Sequence, residues 1–236
     1  MLIIAIPKSA STSLNETISE LHGLPNAPAR VRSELVARCR VAPGFAQLAK
    51  FHRREVVEID AAVVEAVCSP HSLAKYHFPP TPNNQARLRD ARKLILLRDA
   101  EQIISAYRRG DATGAFRLKS HEFCYCLSEQ SWNARANKLG LLDELRAFAA
   151  GWRAHDGEKL VIESAELTAD PAAVLARVEA YFELPLSGGG ALRREKYSRA
   201  PDLPQRSALA ILFSRRLLLV KRLASDLRKL ATGVPL

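Results

Sequence analysis

The start of the chain contains the pattern that most restricts its fold. Leu2 to Ile6 is an uninterrupted apolar run of the kind found in buried parallel strands, and Pro7 ends it because proline cannot donate a ladder hydrogen bond. A turn of small residues follows, and apolar residues then recur at helical spacing from Leu14 to Leu21. We therefore expect a buried strand, a tight turn and a helix, with a hydroxyl residue among positions 11–13 as the N-cap of the helix.

Three further segments have the composition of core strands. Ser72 to Phe78 ends at a Pro-Pro pair, and the runs Lys93 to Leu97 and Lys159 to Glu163 are each followed by a helical pattern. Strands that alternate with helices predict an α/β fold with a doubly wound, mostly parallel sheet. We expect this domain to occupy residues 1–187, whereas residues 24–55 show too little periodicity to be assigned.

Residues 188–236 are predicted to form a basic loop and one long amphipathic helix. The 31 residues from Arg206 onward contain seven Arg or Lys residues and one acidic residue, so they supply most of the formal charge of +10. Leucines at spacings of three, four and seven residues place an apolar stripe beside the basic face. Such a helix can pack on its own domain, or it can contact an anionic membrane surface or an acidic polymer.

Nothing in the sequence indicates a membrane span, export or a metal site. No apolar stretch reaches the ~18 residues that a spanning helix needs, and no basic segment precedes the first apolar run. The four cysteines lack disulfide and zinc-ligand spacings, so they are expected to be free thiols. The resulting expectation is a soluble cytoplasmic protein without a metal, which can be peripheral to a membrane only through its C-terminal helix.

The turn after the first strand has the composition of an anion-binding site. Backbone N–H groups and the positive end of the helix dipole converge there, a lysine adds a charge, and small residues allow an anion to approach closely. The candidate residues are Lys8, Ser9, Ala10, Ser11, Thr12 and Ser13. The glycine-flanked loop of nucleotide triphosphatases is absent, which disfavours ATP hydrolysis. An ordinary helix cap with no ligand is the alternative interpretation.

A second candidate group lies at the end of the third predicted strand. Arg98 follows this strand directly, and Ser105 lies on the next helix. Ligands of parallel α/β sheets bind beyond the carboxyl ends of the strands, so Arg98 and Lys8 can face the same crevice. One anion site at each strand end would suit a nucleotide with two separated phosphates.

These two segments resemble the sulfotransferase family. The stretch from Ile6 to Leu14 is similar to its 5′-phosphosulfate loop, and Leu96 to Arg108 is similar to its 3′-phosphate motif, although the family usually has one more residue between its Arg and Ser. The resemblance continues in Leu160 to Pro171, which is similar to a late strand and turn of these enzymes. It implies a P-loop-like first unit and transfer of a sulfuryl group from 3′-phosphoadenosine 5′-phosphosulfate to an acceptor hydroxyl or amine. Lys8 would then act on the leaving phosphate, with Arg98 and Ser105 on the 3′-phosphate.

The resemblance also supplies a candidate base. Lys75-Tyr76-His77-Phe78-Pro79 is similar to a Lys-x-His-x-Pro stretch of cytosolic sulfotransferases, which implies that His77 takes the proton of the acceptor and that Lys75 assists the sulfuryl group. Other branches use a glutamate, so Glu16 and Glu55 remain alternatives. The late Arg-Lys-Gly and Gly-Asp-Trp elements of the cytosolic branch are absent. The basic residues available in their place are left unassigned; these are Arg193, Arg194, Lys196 and Arg199.

Two other functions fit parts of the sequence. A nucleotide kinase or other phosphoryl transferase would need a glycine-flanked loop and a magnesium-binding acid, neither of which we identify. A nucleic-acid-binding domain fits the basic charge, but no helix-turn-helix, zinc finger or aromatic base-stacking motif supports it. The acceptor is not specified: residues 24–55 and 110–155 are expected to line its site, and a glycan, a lipid headgroup or a small phenol would fit.

Overall fold

The computed structural model describes residues 1–52, 55–113, 121–123 and 126–188, together with Val220. The C-terminal helix expected from about residue 207, and the basic residues at 193–199, lie outside this part of the chain. No helix of the described residues is long and apolar enough to cross a membrane. Three of the four cysteines are described, and all three are free thiols as the sequence predicted; they are Cys39, Cys68 and Cys126.

Strands and helices alternate along the described chain. In chain order, the strands are β1 (Leu2–Ala5), β2 (Arg40–Val41), β3 (Val57–Glu58), β4 (Ala74–Tyr76), β5 (Lys93–Leu97) and β6 (Lys159–Glu163). The helices are α1 (Ser11–His22), α2 (Ala29–Arg38), α3 (Ala46–His52), α4 (Ala61–Val67), α5 (Pro82–Arg87), α6 (Ala100–Thr113), α7 (Glu129–Lys138), α8 (Leu141–Ala154), α9 (Ser164–Ala169) and α10 (Pro171–Phe182). A 3₁₀ turn covers His121–Phe123.

The main sheet has the strand order β4-β1-β5-β6, and every neighbouring pair in it is parallel. Ile4 of β1 lies opposite Tyr76 on one side and Ile95 on the other. This arrangement confirms the predicted parallel α/β sheet. It also places the carboxyl ends of β4, β1 and β5 side by side, so the segments that follow these strands meet at one edge.

Both faces of the sheet are buried, as a doubly wound fold requires. Leu2 and Ile4 pack into one apolar cluster with residues of α2, α3, α4, α6, α7 and α8. Ile3 and Ala5 point to the other face and pack with residues of α1, α9 and α10. Alternate side chains of one strand therefore enter different layers, which explains why β1 is apolar throughout instead of alternating.

The predicted second strand is shorter in the structure. The sequence suggested Ser72 to Phe78, whereas β4 spans Ala74–Tyr76. Before this strand, the Leu73 backbone bonds to Pro25 and Ala27 instead of to β1. After it, the Ile6 amide donates to the Leu96 carbonyl of β5, and the pairing of β1 with β4 ends at Ile4 and Tyr76.

The start of α1 also differs from the expectation. Its N-cap is Ala10, which is in the left-handed conformation (φ 64°) and makes no side-chain capping bond. The hydroxyl residues at positions 11–13 lie within the first helical turn instead. The helix N-terminus is therefore shaped by the backbone of the turn and not by a hydroxyl cap.

The unassigned segment 24–55 forms helices α2 and α3 and the strand β2, which pairs antiparallel with β3. Helix α3 has only seven residues, and a distant carboxylate caps it. Both oxygens of Glu144 on α8 accept backbone N–H groups at the start of α3, from Gln47 at 3.0 Å and Leu48 at 2.7 Å. This contact fixes the start of α3, and His52 lies at the other end of the same helix.

Helix α8 also supports the segment that follows β4. Trp152 Nε1 donates to the Phe78 carbonyl at 2.8 Å, and Gln85 Nε2 donates to the Gly151 carbonyl at 2.8 Å. Gly151 allows the close approach, because a Cβ at this position would lie 2.5 Å from Cγ of Pro80. The polypeptide just after His77 is therefore held against the core.

We predict that Gly151→Ala destabilises the protein by about 1–3 kcal/mol because of this overlap with Pro80. In an open helix interior the same change would stabilise by up to about 1 kcal/mol, so the sign of the effect identifies the contact. Urea unfolding of the two proteins measures the difference. Pro80→Ala should recover part of the loss in a double-mutant cycle, and an unchanged or higher stability of Gly151→Ala would contradict the packing described.

Candidate functional site

The turn between β1 and α1 is backbone-strained. Lys8 (φ 61°) and Ala10 (φ 64°) are both left-handed, and among the described residues Glu183 alone shares this feature without being glycine. A non-glycine residue in this region costs about 1–2 kcal/mol. Left-handed residues within such a turn direct successive N–H groups toward one point and form an anion-binding concavity.

The other residues of the predicted cradle have different surroundings. The Ser9 hydroxyl is buried and donates to the Ile6 carbonyl at 2.7 Å, so this side chain stabilises the turn and does not face a ligand. Ser11 and Ser13 are buried in the first turn of α1, and Thr12 is half-buried. The Thr12 hydroxyl accepts from Lys75 Nζ at 3.5 Å, which links the turn to β4. The structure therefore brings Lys75 to the cradle.

Arg98 contacts the same turn from β5. Its Nη1 donates to the Lys8 carbonyl at 2.6 Å, and its Nε donates to Gln102 at 3.4 Å. The side chain is half-buried, and burial, followed by the charge of Arg109, lowers the pKa of Arg98. Arg98 thus ties the carboxyl ends of β1 and β5 together and adds positive charge at this edge.

Ser105 has a different neighbour. Its hydroxyl donates to the carboxylate of Glu129 at the start of α7, and Arg108 Nη2 lies 3.9 Å from the same carboxylate. The bond of Ser105 is therefore directed to α7 and not to the Lys8 turn. An anion that took this hydroxyl as a ligand would have to displace Glu129.

His77 follows β4 and lies beside β1. Its Nδ1 is 2.6 Å from the Ala5 carbonyl oxygen, which can only accept, so Nδ1 carries a proton and donates it. Its Nε2 is 3.3 Å from Oε2 of Glu55. The backbone bond fixes the ring tautomer and leaves Nε2 as the atom that can take up a proton.

The surroundings of His77 keep the imidazole neutral. Burial is the main cause, and the charges of Lys75 and Lys8 add to it, so the pKa of His77 falls from 6.5 to about 3. The hydrogen bond to Ala5 acts in the opposite direction but is outweighed. His77 is therefore uncharged at neutral pH. The 3.3 Å between its Nε2 and Oε2 of Glu55 is a contact between a neutral ring and a carboxyl group, and not an ion pair.

Two residues that the sequence reasoning missed complete this group. Lys8 Nζ lies over the ring of Tyr107, 5.7 Å from its centroid, and the Tyr107 hydroxyl is 2.6 Å from Nε2 of His52. The His52 ring packs edge-on against His77 with 4.7 Å between centroids. We call Lys8, Tyr107, His52, His77 and Glu55 the polar cluster. A sequence signal existed in the polar stretch His52 to Glu55, within the segment expected to line the acceptor site.

No group of three or more His, Cys, Asp or Glu residues within the described ranges is arranged to hold a metal ion. The candidate site therefore consists of a strained turn, two lysines, one arginine and an enclosed imidazole. Such a site can hold an anion, neutralise charge on a leaving group and accept a proton.

The chain resembles one sulfotransferase in its fold. A crystal structure of a sulfotransferase from Alicyclobacillus acidocaldarius matches it with a TM-score of 0.50 and 17% sequence identity, over 99% of this chain and 94% of that one. No protein-family model matches the chain, and no curated protein does. At this identity the similarity establishes the α/β fold alone.

We predict that the folded protein loses stability in acid through His77. Its folded pKa (about 3) lies below the unfolded value (6.5), so the unfolded state binds the proton first as the pH falls. The contribution of neutral His77 to the free energy of unfolding is complete above the unfolded pKa, and it is lost as the pH falls from 6.5 to about 3. Urea unfolding at about pH 7 and at about pH 4 gives the free energy of unfolding that is lost on acidification. In His77→Gln this loss should be smaller than in the wild type by about 3 kcal/mol.

A direct measurement of the His77 titration serves as the control for this prediction. Nuclear magnetic resonance of the labelled imidazole should show no protonation near pH 6.5, and Lys75→Met should raise the pKa of His77 because a neighbouring positive charge is removed. An imidazole that titrates near 6.5 in the folded protein would contradict the description of the site.

Proposed function

We propose that this protein is a sulfotransferase that moves a sulfuryl group from 3′-phosphoadenosine 5′-phosphosulfate to an acceptor hydroxyl or amine. The observation that carries the proposal is the strained turn of Lys8 and Ala10, held by Arg98 from the neighbouring strand end and flanked by His77 from the other one. The fold similarity to a sulfotransferase is in keeping with this assignment.

The donor nucleotide would bind across the ends of β1 and β5. The 5′-phosphosulfate would occupy the turn from Lys8 to Ser13, where backbone N–H groups and the α1 dipole face an anion. The 3′-phosphate would bind Arg98, whose guanidinium has five N–H donors and uses one for the Lys8 carbonyl and one for Gln102. Ser105 would join it only after its bond to Glu129 opens, so Arg98 supplies the stronger contact.

The reaction replaces one bond to sulfur by another. A bond forms between sulfur and the acceptor oxygen or nitrogen, while the bond between sulfur and the phosphate oxygen breaks and leaves its electron pair on that oxygen. Lys8 neutralises the charge that develops there, and Lys75 adds a second positive charge from β4. Positioning of the acceptor in line with the leaving oxygen supplies much of the remaining acceleration.

His77 accepts the proton that the acceptor loses. Nδ1 is occupied by the Ala5 carbonyl, so the proton goes to Nε2, where the carboxylate of Glu55 at 3.3 Å stabilises the imidazolium that forms. In this proposal Glu55 assists His77. The sequence alone had left Glu55 as an alternative candidate for the base itself. Glu16 lies on α1, outside the polar cluster.

Binding of the donor would prepare this base. Lys75 and Lys8 lower the pKa of His77 in the free protein, and an anionic phosphosulfate beside these lysines would offset their charges. The pKa of His77 would then rise, while burial, the main cause of the lowering, would remain. Proton uptake by His77 would thus be easier with the donor bound than in the free protein.

Further parts of the proposal rest on the sequence alone. They are a cytoplasmic location, catalysis without a metal and without specific nucleic-acid binding, and contact of the C-terminal helix with an anionic membrane or an acidic polymer. The residues of that helix lie outside the described part of the chain, so the contact remains a prediction.

Lys8→Ala tests the assignment. We expect transfer to fall by about 10²–10³-fold, because the charge that stabilises the leaving oxygen is removed. The thermal midpoint should stay within a few degrees, since Lys8 is half-buried and alanine is tolerated at a left-handed position no worse than lysine. Release of 3′-phosphoadenosine 5′-phosphate, measured with a phenol, a sugar and an amine as acceptors, gives the rate. Lys8→Arg is the charge-retaining control, and wild-type turnover by Lys8→Ala would refute the site.

A further inference from the structure

The carboxylate of Glu129 contacts donors of the helix that follows β5. It accepts a hydrogen bond from the hydroxyl of Ser105, and Nη2 of Arg108 lies 3.9 Å from its other oxygen. Glu129 is the first residue of α7, whereas Ser105 and Arg108 are neighbours one turn apart on α6. Carboxylates and phosphates are both oxygen anions that hydroxyl and guanidinium groups bind. In the free protein, Glu129 is therefore a chemical substitute for a phosphate at these two donors.

These donors continue the positive edge that begins at Arg98. Arg98 Nε donates to the side chain of Gln102 at 3.4 Å, and Ser105 follows Gln102 by one turn of the same helix. Burial is the main cause that lowers the pKa of Arg98, and the charge of Arg109 is the next one, so a second guanidinium of α6 is close enough to act on the first. An anion beside Arg98 would therefore find further donors and positive charge along α6.

The carboxylate of Glu129 satisfies these donors only in part. Nε of Arg108 is buried and has no hydrogen-bond partner among the described residues. The 3.9 Å from Nη2 of Arg108 to Glu129 is also longer than a hydrogen bond. Buried donors are normally bonded, and a phosphate has more acceptor oxygens than a carboxylate. A phosphate at this place would therefore suit Ser105 and Arg108 better than Glu129 does.

Glu129 can leave its position without unfolding α7. Its side chain is 53% exposed, so the carboxylate needs only to rotate into solvent. The start of α7 is held by a capping box, in which the Ser128 hydroxyl accepts from the Ser131 amide at 3.1 Å and the Ser128 amide donates to the Ser131 hydroxyl at 3.1 Å. Neither bond involves the Glu129 side chain. Displacement of the carboxylate therefore costs the contact with α6 and leaves the helix in place.

We infer that Glu129 is an intramolecular competitor of the nucleotide: it occupies Ser105 and Arg108 in the free protein, and a 3′-phosphate must displace it to bind. The inference rests on the proposed function, to which it adds a control on nucleotide affinity. The apparent Kd of such a ligand is its intrinsic Kd divided by the fraction of molecules whose donors are free. A Glu129 contact made in about nine tenths of the molecules would weaken binding about tenfold.

The test measures how tightly 3′-phosphoadenosine 5′-phosphate and adenosine 5′-phosphate bind to the full chain and to Glu129→Gln by titration calorimetry. The variant keeps the shape of the side chain and removes its charge, which weakens its bond to Ser105. The bisphosphate should bind Glu129→Gln about three- to tenfold more tightly than wild type, whereas adenosine 5′-phosphate should change by less than about twofold, because it has no 3′-phosphate.

Glu101→Gln is the matched control. Glu101 is also a partly exposed acid beside α6 donors, but its carboxylate bonds to Arg146 of α8 and not to Ser105. The substitution removes the same charge as Glu129→Gln and leaves the Ser105 contact intact. It should change the affinity for either nucleotide by less than about twofold, since an exposed charge contributes little on its own.

Ser105→Ala distinguishes competition from a positioning role of Glu129. In the wild type its effect on the bisphosphate should be small, about threefold or less, because losing the hydroxyl also releases the competitor; in Glu129→Ala the same change should weaken binding about tenfold. Unchanged or weaker bisphosphate binding by Glu129→Gln would show that Glu129 is neutral or organises the site, and would overturn the inference alone. If the wild type binds the bisphosphate no more tightly than adenosine 5′-phosphate, the proposed function fails and the inference with it.

Discussion

The pairing of β1 with β4 on one side and β5 on the other is the constraint on which the candidate site depends. It is a backbone interaction, and it brings together three chain segments that are far apart in sequence. The turn at Lys8, the imidazole of His77 and the guanidinium of Arg98 meet because each follows one of these strands. Arg98 and His77 then bond to backbone carbonyls of the β1 segment, so the site reinforces the strand order that creates it.

Charge and strain at this edge have a common consequence. The two left-handed residues of the turn, Lys8 and Ala10, cost conformational energy, and the nearby lysines lower the pKa of the buried imidazole. The strain of the turn costs stability at any pH, whereas the lowered pKa of His77 costs stability only below about pH 6.5, where the unfolded chain binds the proton first. A bound phosphosulfate would accept hydrogen bonds from the turn, offset the charges of the lysines and thereby raise the pKa of His77.

The sequence predicted those parts of the structure that depend on local patterns. The apolar runs of β1 and β5 needed only neighbouring residues to be recognised, and both became central strands. Helix α3 was not predictable in this way, because its N-terminus is capped by Glu144 from α8, which lies almost a hundred positions away. His52 was missed for the same reason, since its place beside Tyr107 depends on that helix. The direction of the Ser105 hydroxyl was likewise set by Glu129, a residue of another helix.

Calorimetric titration of the full chain with three nucleotides tests the central claim most directly, namely that two phosphates bind at the ends of β1 and β5. The account predicts that 3′-phosphoadenosine 5′-phosphate binds at least about tenfold more tightly than adenosine 5′-phosphate, because Arg98 makes a charge-assisted bond to the 3′-phosphate. It also predicts tighter binding of this nucleotide than of ATP with magnesium. Equal affinities for the first two nucleotides, or preference for ATP with magnesium, would contradict it.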